Sequence, residues 1–489
     1  MPGAPRPYGH GMRKLLASIL ALGCLTACTP DGSRATAASN HRNIVFVLTD
    51  DLALNLVPYL PHVRELAAKG TSFSDFTVTD SLCCPSRSSI FTGKFPHNTG
   101  VFTNSGPDGG FPTFEKRGNE SSTFATDLQQ AGYRTAFLGK YLNLYHPKDK
   151  HVPPGWTSWY GAGDAYGEFN YTLLENDQLK HYGAKPEDYL TDVVSAKASS
   201  FITESAAAGK PFLVEVATFA PHAPYTPAPR DKDSFPDVTA PRGPSFGKVP
   251  TDATGWLAGH PPLSDADITT IDADFRKRVQ AVQAVDRMIA DLETTLDKAG
   301  VADRTVVVFG SDNGYHMGEH GLNPGKQTAF DTDVNVPLVA AGPGIRAGAT
   351  VGVPAENIDL RPTFDELAGV TPAAEVDGRS LVPLLSGAAP AWRDVALVEH
   401  HGPGTDPADP DKQSSKSGTP PTYQAIRTPA FTYVEYTTGE REYYDNAKDP
   451  DQLHNVASTL TADRLAQLHH TVQTMTACRG ETCRTADRS

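Results

Sequence analysis

Asn43-Ile44-Val45-Phe46-Val47-Leu48-Thr49-Asp50-Asp51 is an apolar, β-rich run that stops abruptly on a threonine and two carboxylates. An apolar run without polar alternation predicts a strand buried on both faces, and such strands belong to sheets covered by helices. A helical pattern follows at 60–69 and closes at Gly70. The same signature recurs along the chain. Residues 135–138 run into Gly139-Lys140, 212–219 into Ala220-Pro221-His222, and 305–309 into Gly310-Ser311-Asp312-Asn313. Between them lie a helical pattern at 123–131 and a longer one ending at Gly300. The latter places Val279, Val282, Val285, Ile289, Leu292 and Leu296 at three- and four-residue steps. Alternating strands and helices predict an α/β fold. Open α/β sheets bind ligands beyond the carboxyl ends of their strands. Asp50, Asp51, Lys140, His222, Asp312 and Asn313 are therefore expected on one rim.

The texture changes near residue 400. Residues 402–421 are rich in Pro, Gly, Ser and Asp and predict a long loop; short alternating strands follow at 423–427, 431–437 and 441–444, then a helix at 460–475. The expected organisation is a large α/β domain at 42–400 and a small α+β domain at 401–489. At the other end, Arg13-Lys14 precedes an apolar run at 15–25, too short for a membrane span, which reads as a targeting segment. Met12 makes a more conventional signal start than Met1. Leu25-Thr26-Ala27-Cys28 resembles the bacterial lipoprotein signal-peptidase box, which would make Cys28 the lipidated first residue of the mature chain. An ordinary secretory signal is the alternative. Residues 1–28 are thus expected to be a signal segment and 29–41 a flexible tether. Either way the protein is exported, secreted or held at the cell surface by lipid.

With 43 Lys and Arg against 57 Asp and Glu, the formal charge is −14. That argues against nucleic acid or an anionic membrane face as a partner. A chain of this charge can bind an anion only by concentrating positive charge locally. Export places the cysteines in an oxidising compartment, where Cys478 and Cys483 are expected to close a small disulfide loop. Cys83 and Cys84 are adjacent, and a bridge between them would be strained.

Cys83-Cys84-Pro85-Ser86-Arg87-Ser88-Ser89-Ile90-Phe91-Thr92-Gly93 offers a nucleophile at the start of a helix, one turn before an arginine. A structural turn, half a disulfide or a metal knuckle would be the plain alternatives. Asp50, Asp51, Asp312 and Asn313 are hard oxygen donors, which select Ca²⁺ or Mg²⁺ over zinc. Each pair separately is a common cap or turn.

The 83–93 segment resembles C-x-P-S-R-x-x-x-x-T-G, the signature of the type I sulfatase family, within the alkaline-phosphatase-like superfamily. The resemblance implies a large mixed, mostly parallel sheet sandwiched by helices. It implies that a formylglycine-generating enzyme oxidises Cys83 to formylglycine, and that Asp50, Asp51, Asp312, Asn313 and the modified Cys83 surround a divalent ion, usually calcium. Arg87, Lys140 and Lys326 would neutralise the sulfate, and His222, between two prolines, would protonate the departing alcohol. His316 is divided between substrate contact and support of the site; Asn143 and His97 are further candidates for substrate binding. His320, His400 and His401 are expected to be structural. Many members carry a histidine two residues after the lysine equivalent to Lys140; here that position is Leu142, so the base for the second half of the reaction is open. Gly139-Lys140-Tyr141-Leu142-Asn143 and Asp312-Asn313-Gly314-Tyr315-His316, with the late cysteine pair, look like N-acetylglucosamine-6-sulfatases and the extracellular heparan endosulfatases. The expected substrate is a sulfated glycan, 6-O-sulfated N-acetylglucosamine first. A broad arylsulfatase, a phosphonate or phosphate-ester hydrolase, or a surface glycan-binding lipoprotein with unmodified Cys83 are the alternatives.

Overall fold

The computed structural model describes residues 41–404, 406, 409 and 412–488. The expected signal segment with Cys28, and residues 29–40 of the expected tether, lie outside the described residues. Among the described residues no helix is long and apolar enough to cross a membrane.

Ten strands form one mixed sheet in the order Ala349–Val351, Thr71–Phe73, Leu338–Ala341, Thr305–Ser311, Asn43–Thr49, Phe212–Ala217, Arg134–Lys140, Ser158–Ala162, Tyr171–Glu175, Gln178–Tyr182. The four central strands, Thr305–Ser311 to Arg134–Lys140, run parallel to one another. Their carboxyl ends therefore share one edge. The missing alternation in residues 43–49 has a direct cause. Ile44, Phe46 and Leu48 enter one apolar cluster, and Val45 and Val47 enter another on the opposite face. Each such fully buried side chain contributes about 1.5–3 kcal/mol.

The helices Cys83–Thr92, Phe124–Gln130 and Leu360–Leu367 cover the first face, and Pro61–Lys69, Leu190–Ala207 and Asp265–Lys298 the second. The last helix begins well before its apolar stripe, at a Ser264 capping box. Its Arg278 lies on the buried side, at 0% exposure.

A separate four-stranded antiparallel sheet comprises Ala396–His400, Tyr423–Arg427, Phe431–Tyr436 and Arg441–Asp445. Its first strand precedes the long loop, so neither its pairing nor its membership was readable locally. That strand also ties the small sheet to the main body, because Glu399 N–H donates to the Thr79 carbonyl and Leu397 N–H to Glu356. The helix Ala462–Thr476 packs beside this sheet, and Cys478 and Cys483 are disulfide-bonded within the same apolar cluster.

Candidate active site

The shared strand edge carries the polar residues that the sequence placed there. Asp50 and Asp51 follow Asn43–Thr49, Lys140 ends Arg134–Lys140, His222 lies beyond Phe212–Ala217, and Asp312 and Asn313 follow Thr305–Ser311. All are buried. Helix Cys83–Thr92 begins against them, with Leu82 as its extended N-cap and Gly93, φ +66°, closing its far end.

Cys83 Sγ lies 3.2 Å from Asp50 Oδ1 and 2.8 Å from Lys326 Nζ. Lys326 also donates to Asp51 Oδ1 at 2.8 Å, and Lys140 to Asp50 Oδ2 at 2.6 Å. Arg87 sits one turn along the helix, where its Nε donates to Asp312 Oδ2 at 2.8 Å and its Nη1 to the Lys140 carbonyl at 2.7 Å. His222 Nδ1 is 2.7 Å from the Ala223 carbonyl, which makes that nitrogen the donor and turns Nε2 toward Asp51 Oδ2, 3.6 Å away. Three carboxylates, three fixed cations and one imidazole thus surround one thiol. Cys84 is different. It points into the apolar cluster, and burial pushes its thiol up to about 12.

Charge balance explains the protonation of the cluster. Burial works against the Asp50 charge, but Lys140, His222, Arg87 and Lys326 outweigh it and hold the carboxyl well below its usual range. Burial likewise opposes the Arg87 charge, and Asp312, Asp50 and Cys83 overcome it. Asp312 goes the other way. Burial, reinforced by Asp50, pushes it up to about 6 despite Arg87.

The donor set fits a divalent metal. Asp50, Asp51, Asp312 and Asn313 present oxygen atoms from two adjacent strands, and Asn313 Oδ1 is buried with no hydrogen-bond partner among the described residues. Asn313 Nδ2 meanwhile donates to Asp51 Oδ1 at 2.6 Å, fixing which way its oxygen faces. Asp51 itself sits in the left-handed region at φ +64°, a conformation that costs a non-glycine residue roughly 1–3 kcal/mol. Two contacts hold it there: its N–H donates to Asp312 Oδ1 at 3.1 Å, and its carbonyl accepts from Arg278.

Of the two readings open for His316, its contacts favour support of the site, and those of His97 likewise engage other parts of the chain. His316 is buried, with Nδ1 3.0 Å from both Asp333 oxygens and Nε2 3.0 Å from the Ser417 carbonyl. Both nitrogens are committed. Burial disfavours its charge, but Asp333 outweighs this and raises its pKa. Its backbone exchanges hydrogen bonds with Gly325, so His316 holds the turn that presents Lys326. His97 places Nδ1 2.7 Å from Glu399 and Nε2 3.0 Å from the Cys478 carbonyl, which makes it a clamp on the C-terminal segment. Asn143, by contrast, lines a cavity of about 190 Å³ with Lys140, Leu142, Tyr166 and Phe219. His320 stacks on Phe330 and is held neutral by burial, its pKa lowered to about 3, and His400 is buried beside Asp80. His401, expected to be structural, lines a second cavity of about 340 Å³ whose walls include Leu82, Asp108 and Gln327.

The chain resembles known proteins over the same span. The sulfatase family profile matches residues 42–370, and the N-sulphoglucosamine sulphohydrolase C-terminal profile matches 318–477. Human N-acetylglucosamine-6-sulfatase is 34% identical over 516 residues, covering 99% of this chain and 92% of that protein.

The chain belongs to the sulfatase family.

It is a sulfuric ester hydrolase. A putative extracellular sulfatase Sulf-1 homolog of Caenorhabditis elegans is 34% identical over 376 residues, 74% of this chain and 52% of that protein. Among solved structures, BT4656 in complex with its substrate D-glucosamine-2-N,6-O-disulfate shares the fold with a TM-score of 0.77 at 23% identity, covering 92% of this chain and 99% of its own. The alkaline-phosphatase-like architecture expected for this sulfatase is thus present.

Sequence reading missed two neighbours of the site, the buried Arg278 and the half-buried Tyr166. Arg278 reaches from the long helix to the carbonyls of Asp51 and Pro221, joining the acidic strand end to the His222 loop. A charged residue three positions after Phe275, inside an apolar stripe, was the available signal. Tyr166 lies in a Gly- and Asp-containing loop and gave none.

Proposed function

We propose that this sulfatase removes sulfate from a sulfated sugar, with 6-O-sulfated N-acetylglucosamine as the leading substrate. The supporting observation is the convergence of Lys140, Lys326, Arg87 and His222 on Cys83 within an otherwise acidic protein. The N-acetylglucosamine-6-sulfatases among the relatives support the sugar. Asp50, Asp51, Asp312 and Asn313, with modified Cys83, would hold Ca²⁺ or Mg²⁺, which supplies positive charge against the sulfate oxygens. Cys83, matured to formylglycine by its generating enzyme, would supply the attacking oxygen at the position that Sγ marks.

The chain's own residues do the rest. Lys140 and Lys326, tied to Asp50 and Asp51, present fixed ammonium groups where sulfate charge must be neutralised. Arg87, fixed to Asp312, keeps its charge beneath the nucleophile without having to reach for substrate. As an imidazolium, His222 keeps Nδ1–H on the Ala223 carbonyl and gives its Nε2 proton to the leaving alcohol, ending as the neutral Nδ1–H tautomer. Asn143 would bind substrate beside Lys140. Leu142 has no proton to exchange, so the base for sulfate release is sought elsewhere. The apolar run at 15–25 and the extracellular sulfatases among the relatives support export, with Cys28 the site of a lipid anchor.

The test is sulfate release by protein purified from its native source, across 6-sulfated N-acetylglucosamine, an aryl sulfate and a matched phosphate ester. It is paired with mass spectrometry of the peptide spanning Cys83. Release from the sugar together with loss of the thiol mass supports the reading. Full retention of the thiol refutes the nucleophile, and turnover of the phosphate ester in preference to both sulfates refutes the substrate class.

A further inference from the structure

The larger of the two cavities beside the site has walls that continue the reacting groups. Leu82 and Gln327, which line it, are the chain neighbours of Cys83 and Lys326. Its volume of about 340 Å³ falls within the roughly 300–1,000 Å³ of sites that take small organic ligands, and the 190 Å³ cavity beside Lys140 falls below that range. Gln327 lines it from a left-handed backbone, φ +76°, which a non-glycine residue keeps only where its surroundings hold it. Here Gln327 N–H donates to the Ser81 carbonyl at 3.2 Å, and its own carbonyl accepts from the Tyr423 hydroxyl at 3.2 Å.

The loop at 102–110 supplies Asp108 to the same cavity. Asn104 Oδ1 accepts from Cys84 N–H at 3.0 Å, which registers this loop to the start of the helix bearing Cys83. Asn143 is joined to its end, since the Asn143 carbonyl accepts from Phe111 N–H at 2.8 Å. Asp108 Oδ2 lies 2.8 Å from His401 Nδ1, and its Oδ1 lies 3.1 Å from Thr103 Oγ1. The His401 ring stacks on Phe102 with centroids 3.8 Å apart and planes 3° from parallel. His401 directly follows strand Ala396–His400, so the small sheet contributes to this wall. The hydrogen bond from His401 outweighs burial and holds the Asp108 carboxyl below its usual range. A charged carboxylate therefore lines the cavity at neutral pH, and each of its oxygens can accept a further hydrogen bond.

Charge changes sign between the nucleophile and this cavity. Lys140, Lys326 and Arg87 gather around Cys83 and its carboxylates. Among the described residues the cavity walls carry Asp108, Asp406 and Asp409 against Lys412 and His401. A ligand that is anionic at one end and uncharged elsewhere meets complementary groups at both ends, whereas a second anionic group is set among carboxylates. We propose that this cavity holds the body of the sulfated sugar and that Asp108 is its specificity-determining residue, accepting from a hydroxyl or amide N–H and turning away a sugar that carries a second sulfate. The inference rests on the reading of the chain as a sulfatase of sugars. Asp108 lies away from the sulfur and the leaving oxygen, so its loss is read in KM rather than in kcat.

The experiment measures kcat and KM for 6-sulfated N-acetylglucosamine, glucosamine 2-N,6-O-disulfate and 4-nitrophenyl sulfate in the mature enzyme and in Asp108→Asn. The wild type is expected to favour the N-acetyl sugar over the disulfate in kcat/KM. Asp108→Asn is expected to raise KM for the N-acetyl sugar by about 10-fold or more, the effect of losing a hydrogen bond to a charged group, and to lower KM for the disulfate. The preference then shrinks by at least about tenfold, with kcat on both sugars within about threefold of wild type. For 4-nitrophenyl sulfate, which has no sugar to place, both constants stay within about threefold, which separates lost recognition from general damage to the fold. If Asp108→Asn does not fold, Asp108→Ser, which keeps a small polar side chain without the charge, is measured in its place. An unchanged preference in the variant, or an equal rise in KM for the aryl sulfate, overturns the inference. A wild type that hydrolyses the disulfate as well as the N-acetyl sugar overturns it too, and leaves the sugar sulfatase reading standing. If neither sugar is hydrolysed while the aryl sulfate is, that reading falls and the inference with it.

Discussion

Glu215 provides a measurable consequence of how the sheet is built. It lies mid-strand in Phe212–Ala217, level with Phe46 on one neighbouring strand and Phe137 on the other, beneath the helix that bears the nucleophile. It is fully buried, and neither carboxyl oxygen has a hydrogen-bond partner among the described residues. Burial pushes its carboxyl up to about 8, with Arg87 pulling weakly the other way. Between the ordinary value of 4.5 and about 8 the folded protein holds a proton that the unfolded chain has released. Stability linked to this group is therefore fully present below the unfolded value and lost as pH rises through the interval. At about 1.4 kcal/mol per pH unit, the loss is on the order of 4 kcal/mol by pH 8. Glu215→Gln keeps the shape and cannot ionise. Urea unfolding of both proteins from pH 5 to 8.5 should show the wild type weakening relative to the variant by that order, while sulfate release at neutral pH stays close to wild type. Parallel stability curves over this interval would refute the claim that the buried carboxyl governs the effect.

Removal of bound metal by a chelator should abolish sulfate release, with restoration by Ca²⁺ or Mg²⁺; Asn313→Ala should weaken that restoration, read as a higher metal concentration at half-activity. Cys84→Ala should retain most activity, whereas Cys83→Ala should lose it entirely, and native Cys84 should resist alkylation until the protein is unfolded. Cys478→Ser with Cys483→Ser opens a loop of five-residue separation, which by chain entropy costs about 2 kcal/mol. A lower thermal midpoint with unchanged KM is expected, and a raised KM would show that the C-terminal segment shapes the site directly.

Where sequence reading succeeded, a local rule coincided with a tertiary one. The run at 43–49 was legible because burial on both faces removes alternation, and the acids after it were legible because parallel strands bring their ends together. The motif at 83–93 carried Arg87 with it through helical spacing. The roles of His316 and His97 stayed open because nothing local says that Asp333, Ser417, Glu399 and the Cys478 carbonyl converge on them from elsewhere in the chain. Tyr166 and Arg278 meet the site residues from elements distant in sequence. Strand Ala396–His400 is parted from its partner by the long loop, and residue spacing does not encode such pairings.

The cover over Lys326 gives the site a direction in time. Gln413 Nε2 donates to the Lys326 carbonyl at 2.5 Å, and Ser417 receives His316. The residues around Cys83 are synthesised in the order 50, 83, 140, 222, 312, 326, and the segment that fastens them comes almost a hundred positions later. A chain stopped short of residue 413 would hold every group assigned to the chemistry and still lack the clasp on its lysine. The enzyme is completed from its C-terminal end.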